Sequence, residues 1–315
     1  MCELCANSIS INTKYDPTRT TTLRNLFVKE MDKRFNKLIK AIYNKLITED
    51  FFEVNPMQVN AANMAFAFTR SAEKVQEFMT WLKQQVDEGI LSIREYEQIG
   101  SSIDKAWTNL YITDSYKRGV IRARFELQKA GGNNVPSIDA TGGIEMSMMI
   151  PLHMDRLGLL YTRVYSDLKG ITAAMDTQIS RVLTQAMADG DDIRTIVKKL
   201  IGTINGTGLG DLSLTDTLGR FIPAQRRAMM LARTEIIRAH HQAMIQEYKN
   251  WALEGVVVVA EFLTAGDDKV CAECEALAAG SPYTLDEAMN MIPVHPQCRC
   301  ICLPFIEGES TLIKR

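Results

Sequence analysis

Apolar residues recur every three or four positions along much of this chain, which is the spacing of amphipathic helices. The clearest stripe predicts a helix from Leu23 and runs for about seven turns. Its members are Leu23, Phe27, Met31, Phe35, Leu38, Ile42 and Leu46. Lysines such as Lys29 and Lys37 occupy the remaining surface. We interpret this basic face as solvated, with docking on DNA or on an acidic partner as the alternative.

Further stretches with the same period predict more helices. They cover 71–90, 101–130, 155–189, 191–201 and 223–251. A break at Gly170 is an alternative to one continuous helix over 155–189. Pro223 suits the first turn of the last helix. That helix carries one apolar seam, which includes His241, and we interpret His241 as a core histidine rather than a ligand.

The C-terminal part has a different pattern, with short β-branched runs instead of long helical periods. Residues 256–262 and 299–305 predict two strands, and 286–290 predicts one helical turn between them. The predicted fold class is therefore mainly α, with long amphipathic helices and a small α+β C-terminal module.

Composition along the chain predicts where it divides. The segment 131–143 (GGNNVPSIDATGG) is rich in turn-forming residues and indicates a linker. We predict the following division: a polar tail at 1–22, a helical region at 23–130, a linker at 131–150, a domain at 151–305 with its core at 222–305, and a tail at 306–315.

Charge and hydropathy limit the possible functions. The formal net charge of the 315-residue chain is −2, which argues against a protein that coats DNA by electrostatics alone. The longest apolar run, at 256–260, is far too short to cross a bilayer. We therefore expect no membrane-spanning segment.

Cysteine and histidine cluster near the C-terminal end. Cys271 and Cys274 form a C-x-x-C pair, and His295, Cys298 and Cys300 follow about twenty residues later. This spacing is typical of a tetrahedral zinc site. Residues two apart in a strand face the same side, so the sequence leaves open whether Cys298 or Cys300 completes the site. We predict a structural Zn²⁺ held by four of these five residues.

Other interpretations of the cysteines are packed thiols without metal, or disulfides. The polar segment 1–25 lacks the apolar stretch of a secretory signal, which favours a reducing compartment and hence metal over disulfides. The pair Cys2 and Cys5 could be a second half-site, although we interpret it as unrelated. The chain contains no His-x-Glu and no H-E-x-x-H, the motifs of catalytic zinc sites. We therefore predict no catalytic residues.

Three motifs then occur in a specific order: 232–235 (ARTE) in a helix, 267–274 (DDKVCAEC) and 293–300 (PVHPQCRC). In order and spacing this set resembles the C-terminal core of the phage Mu F-like minor head proteins. The resemblance covers about 183–305. The chain departs from the family pattern in having Phe262 where many relatives have Trp, and in an additional thiol at Cys302.

The resemblance implies a minor head protein of a tailed bacteriophage that acts in head morphogenesis. Its expected partners are the portal protein and other head proteins, with several copies per portal ring and with genomic DNA as a further contact. Its expected location is the phage head near the portal, after assembly in the host cytoplasm. One alternative is a zinc-containing nucleic-acid-binding protein. Another is an enzyme that uses Glu273, Asp268 or His240 beside the cluster.

Two residues of the ARTE motif invite a structural hypothesis. Arg233 and Glu235 would pair with backbone, or with Arg299 and Asp268, and so stabilise the cysteine module. The alternative is an exposed helix face with local salt bridges.

Overall fold

The structure is a computed structural model. It describes residues 16–53, 59–60, 65–66, 68, 71–87, 90–92, 106–132, 134–206, 222–253 and 257–306. Within these ranges the helices are α1 (Thr21–Tyr43), α2 (Ser71–Asp87), α3 (Trp107–Lys129), α4 (Gly143–Met148), α5 (Pro151–Ala188), α6 (Ile193–Asn205), α7 (Ala224–Leu253), α8 (Ala272–Ala279) and α9 (Leu285–Ala288). The strands are β1 (Val59–Asn60), β2 (Ala65–Phe66), β3 (Val258–Leu263) and β4 (Ile301–Ile306). The predicted mainly helical fold is confirmed. None of these helices is both long and apolar enough to cross a bilayer.

Helix α1 confirms the first predicted stripe. All seven residues of the stripe are at most 4% exposed. The carboxylate of Asp16 accepts hydrogen bonds from Thr18 and Thr20 just before the helix begins, which satisfies backbone groups at its N-terminus. A π-helical turn, Asn44–Thr48, follows α1 and keeps Leu46 buried.

Helices α5 and α6 differ in detail from the predictions. Helix α5 runs unbroken through Gly170, so the alternative of a break there is wrong. Helix α6 begins after Asp192, whose side chain accepts hydrogen bonds from the backbone N–H groups of Arg194 and Thr195. It continues to Asn205 and ends at Gly206, which has a φ of 83°. Helix α6 therefore begins two residues later and ends four residues later than the predicted 191–201.

The chain forms two compact units, each built from separated stretches. The first unit takes its described residues from 16–27, 108–161 and 233–306. The second takes them from 28–107 and 162–232. Within 131–150 lie a 3₁₀ turn, Asp139–Thr141, and helix α4. The division at a linker over 131–150 stays a prediction.

In the second unit, α2 buries one apolar face, formed by Phe78, Leu82 and Val86. The ring of Phe78 lies 6.2 Å from that of Phe52. The π-helical turn packs against α6. At the C-terminal end of α2, the carboxylate of Asp87 accepts a 2.5 Å hydrogen bond from Lys169 of α5.

In the first unit, α3 and α7 approach unusually closely. A Cβ atom on Gly119 would lie 2.4 Å from the carbonyl oxygen of His240 and 2.7 Å from the Cβ of Ala243. One turn earlier, the hydroxyl of Ser115 donates a 2.6 Å hydrogen bond to the carbonyl of Ile236. All residues of α7 from 239 to 248 are buried. The single apolar seam predicted for this helix therefore understates its burial.

The C-terminal module belongs to the first unit. Strands β3 and β4 pair antiparallel, from Val258 opposite Ile306 to Leu263 opposite Ile301. Helices α8 and α9 lie in the connection between them. A reciprocal pair of hydrogen bonds between Thr284 and Glu287 starts α9. Both predicted strands and the helical turn are confirmed, with bounds shifted by one or two residues.

Candidate metal centre

The C-terminal module brings the five predicted ligands together. Cys271 is the N-cap of α8, and its sulfur accepts a 3.4 Å hydrogen bond from the backbone N–H of Cys274. His295 and Cys298 lie in the loop after α9, where the N–H of Cys298 donates to the carbonyl of His295 at 3.1 Å. Cys300 directly precedes β4. A helix start and a tight turn thus present the two halves of the cluster to each other.

The potential ligand atoms form two overlapping groups of three. One group is Cys271, Cys274 and His295, and the other is Cys274, Cys298 and Cys300. Within each group all ligand atoms lie within 4.8 Å of one another. Zinc–sulfur bonds of about 2.3 Å in a tetrahedron require sulfur atoms about 3.8 Å apart. Because Cys274 belongs to both groups, it is at the centre of the cluster.

His295 is oriented as a nitrogen ligand. Its Nδ1 lies 2.9 Å from the carbonyl oxygen of Pro296. A carbonyl only accepts, so Nδ1 carries the hydrogen, and in the neutral imidazole Nε2 then keeps its lone pair. Nε2 lies 3.4 Å from the sulfur of Cys274. Metal-bound histidines are held in this way, with the second ring nitrogen donating to a carbonyl or carboxylate.

Hydrogen bonds between the thiols divide the cluster into proton donors and thiolate-like acceptors. The hydrogen bond from Cys300 lowers the pKa of Cys298 to about 5, and the same bond raises the pKa of Cys300. The backbone N–H of Cys274 lowers the pKa of Cys271, whereas burial raises the pKa of Cys274 to about 12. Since thiolates are the metal-binding form, a metal would displace the protons that these sulfurs share.

The thiols of the described residues are all free, and none is joined in a disulfide: Cys271, Cys274, Cys298, Cys300 and Cys302. Cys302 lies in β4 opposite Phe262, is completely buried, and belongs to neither group of potential ligands. It is therefore a core residue of the sheet. Cys2 and Cys5 lie outside the described residues.

Arg299 has a partner that the hypothesis drawn from the sequence did not name. It binds Asp267 through two hydrogen bonds of 2.5 and 2.6 Å. Asp268 is exposed, because Asp267 begins the turn and its carboxylate also accepts the N–H of Lys269. The sequence analysis did not name Asp267 as an ion-pair partner. The signal that could have identified it is the turn, in which its carboxylate accepts the N–H of the residue two positions later.

The ARTE residues make other contacts than expected. Arg233 donates a 3.0 Å hydrogen bond to the side chain of Gln297, in the loop of the cluster. Glu235 accepts a 3.1 Å hydrogen bond from Arg238, one turn along the same helix. The expected pairing of these residues with Arg299 and Asp268 is wrong, although Arg233 still contacts the metal-ligand loop.

The donor set fits a structural zinc ion. Thiolates and imidazole are the ligands that zinc prefers, and five candidates for four positions leave no need for a bound water. The residues considered for an enzyme do not join the cluster: Asp268 and Glu273 are exposed. His240 is buried in the core, and burial lowers its pKa to about 3. In the described part of the chain, the geometry at this centre resembles a closed protein-ligand site.

Part of the chain, including this module, matches a known protein family. Residues 177–303 match the family described as phage Mu protein F like protein. The matched segment includes all five candidate ligands. No curated protein and no solved structure matches the chain.

Proposed function

We propose that this chain is a minor structural protein of a bacteriophage head, incorporated beside the portal. The proposal rests on the match of residues 177–303 to the phage Mu protein F like family. The family is one of head morphogenesis proteins, which makes other head proteins its partners. The finer role is a few-copy component that binds the portal protein during assembly in the host cytoplasm and stays in the virion.

The observation that carries a structural role is the closed donor cluster. We assign the zinc ligands to Cys271, Cys274 and His295, with Cys298 or Cys300 as the fourth. The ion would connect the start of α8 to the loop before β4. A two-stranded sheet is marginally stable by itself, so a metal that joins its connections stabilises the module without performing chemistry.

One observation favours a second candidate, a zinc-containing nucleic-acid-binding protein. Four lysines on one face of α1 are exposed: Lys29, Lys33, Lys37 and Lys40. Their spacing of three or four residues produces a basic stripe that phosphates could contact. The net charge of −2 weighs against a mainly electrostatic DNA-binding protein. Binding to DNA that weakens steeply with added salt would favour this candidate.

The head assignment is tested by quantitative mass spectrometry of purified DNA-filled particles and empty proheads. We expect the chain in both, at a few copies per portal ring, and cross-linked to the portal protein after treatment with a short amine-reactive reagent. Absence from both particles would overturn the assignment.

The zinc assignment is tested by elemental analysis of the purified chain. We expect about one zinc per chain, as a single tetrahedral site requires. Cys274→Ser should release the metal, because Cys274 belongs to both groups of potential ligands. Cys302→Ala is the matched control, since it removes a buried thiol of the same module outside the cluster and should retain the metal. Equal metal content in both variants would contradict the assignment.

A further inference from the structure

The two halves of the metal centre lie on separate segments, and one ion pair connects these segments from outside the cluster. Asp267 lies in the turn that leads into Cys271, and Arg299 lies between Cys298 and Cys300. The guanidinium and the carboxylate meet through two parallel hydrogen bonds, Nη1–Oδ2 at 2.5 Å and Nη2–Oδ1 at 2.6 Å. This two-bond geometry fixes orientation as well as distance.

The carboxylate of Asp267 is itself held in place. Its Oδ1 accepts a 3.1 Å hydrogen bond from the N–H of Lys269, and the N–H of Val270 donates to the carbonyl of Asp267 at 3.2 Å. The carboxylate is therefore fixed relative to the backbone that enters Cys271. The hydrogen bonds from Arg299 lower the pKa of Asp267 to about 2, so the carboxylate is ionised at neutral pH.

Arg299 lies in the segment just before β4, and its burial indicates that its side chain points away from the sulfurs. Cys298 and Cys300 are buried, whereas Arg299 is partly exposed. The guanidinium therefore orients the segment without entering the ligand cluster. On the same loop, Gln297 accepts the hydrogen bond from Arg233 of α7, which holds the loop at a second point.

We propose that Asp267 and Arg299 are positioning residues for the metal centre, which hold its two halves at ligand spacing before the metal binds. The inference rests on the zinc assignment made above. Holding two segments in the bound geometry removes an ordering cost that binding would otherwise carry, so the pair raises metal affinity without supplying a ligand.

The test measures Zn²⁺ affinity of the full chain by competition with a chromogenic chelator, together with Co²⁺ absorption spectra that report the ligands. The variants are Asp267→Asn, Arg299→Gln, their combination, and Arg299→Lys, which keeps the charge but loses the two-bond geometry. Asp286→Asn is the control, because it removes a carboxylate paired with Lys249 in the same module, at a side chain that is 91% exposed.

We expect each single variant to bind zinc about 10- to 100-fold more weakly, as loss of an outer-shell contact to a metal site commonly does. The combined variant should lose no more than either single one, and Asp286→Asn should match the unmodified chain. The Co²⁺ spectra should keep the same thiolate-to-metal bands, because no ligand has changed.

Three results would overturn the inference in distinguishable ways. If the unmodified chain binds neither zinc nor cobalt, the metal assignment itself fails. If the unmodified chain binds metal and the variants have the same affinity, the pair does not position the ligands. If the metal-free variants unfold at lower temperature while their affinity is unchanged, the pair stabilises the fold only.

Discussion

Arg124 of α3 and Glu247 of α7 form a fully buried ion pair. Their Nε and Oε1 atoms lie 2.6 Å apart, and the side chains are 3% and 0% exposed. The second carboxylate oxygen accepts a 2.8 Å hydrogen bond from His153 at the start of α5, and Arg124 also donates to Ser147 of α4 at 3.0 Å. Burial favours a protonated carboxyl, but the bonds from His153 and Arg124 outweigh it and lower the pKa of Glu247. One charged network therefore joins four helices of the first unit.

Breaking this pair should destabilise the first unit strongly. Glu247→Leu leaves the guanidinium of Arg124 buried without its counter-charge, which costs about 3–5 kcal/mol. We expect this loss in the free energy of unfolding measured by urea denaturation. Arg124→Met combined with Glu247→Leu should recover much of it, because no charge then stays buried.

The control for this prediction is the exposed pair of Arg118 and Asp114 on α3, whose side chains are 49% and 44% exposed. Asp114→Asn should change the free energy of unfolding by less than about 0.5 kcal/mol. If Asp114→Asn and Glu247→Leu lowered the free energy of unfolding equally, burial would not make the Arg124–Glu247 pair more stabilising than an exposed pair.

Two glycines within helices should respond in opposite ways to the same substitution. Gly119→Ala would place a methyl group 2.4 Å from the backbone oxygen of His240, so α3 and α7 must separate. We expect a loss of about 1–3 kcal/mol, as for overpacked cores. Gly170→Ala meets no atom within 4 Å and should stabilise α5 by about 0.5–1 kcal/mol through helix propensity.

Thermal unfolding of both variants measures this contrast. A higher melting temperature for Gly119→Ala than for the unmodified chain would show that the contact between α3 and α7 is looser than the structure describes.

Buried histidines should make the first unit sensitive to acid. Burial lowers the pKa of His241 to about 4 from 6.5, so the native state resists a proton that the unfolded state accepts. Stability is therefore present above pH 6.5 and is lost as the pH falls toward 4. For His241 alone, moving from pH 7 to pH 5 costs about 2 kcal/mol.

His241→Gln tests this contribution because glutamine can still donate to the carbonyl of Ala288, as Nε2 of His241 does at 2.7 Å. Urea denaturation between pH 4.5 and 7.5 should show a shallower pH dependence for the variant. An unchanged slope would mean that His241 takes up its proton at the same pH in the native and the unfolded state, contrary to its burial.

Asp176 in the second unit should have the opposite pH dependence. Its Oδ1 is buried without a hydrogen-bond partner in the described part of the chain. Burial, and the charge of Asp87, raise its pKa to about 6 from 3.8, with Lys83 and Lys169 opposing the rise. The native state thus holds a proton that the unfolded state releases, and stability falls as the pH rises from 3.8 to about 6.

Asp176→Asn removes this penalty. At pH 7.5 we expect it to stabilise the protein by about 1 kcal/mol after allowing for solvent screening, and at pH 4 we expect almost no effect. The measurement is the melting temperature of both proteins across this pH range. Destabilisation at pH 7.5 would indicate instead that the ionised carboxylate forms a net favourable pair with Lys83 or Lys169.

The sequence predicted the elements whose burial follows from local periodicity. Helix α1 buries one face, so a repeat of three and four residues is visible in its sequence and every member of the stripe is buried. Helix α7 is buried on all sides from 239 to 248, and polar residues such as Glu247 lie inside. Glu247 is buried because Arg124 neutralises it from 123 residues away, and a local pattern contains no such information.

The candidate metal centre shows the same limit. The spacing of its cysteines and histidine is local, and the structure brings all five of these side chains close together. The pairing of Arg299 with Asp267 was not predicted, because it depends on the turn that Asp267 begins. Which of two adjacent aspartates begins a turn is not visible in the pattern of apolar and polar residues.

The contact between α3 and α7 has a consequence for how the protein is made. The hydrogen bond from Ser115 to Ile236 joins positions 121 residues apart. During synthesis α3 therefore leaves the ribosome well before α7 has been made. Until then the surface around Gly119 stays exposed to solvent. Contacts of such long sequence separation slow folding and leave apolar surface open to aggregation in the meantime. The first unit completes its core only after translation has passed α7, so chaperones have a defined interval in which to shield the nascent chain.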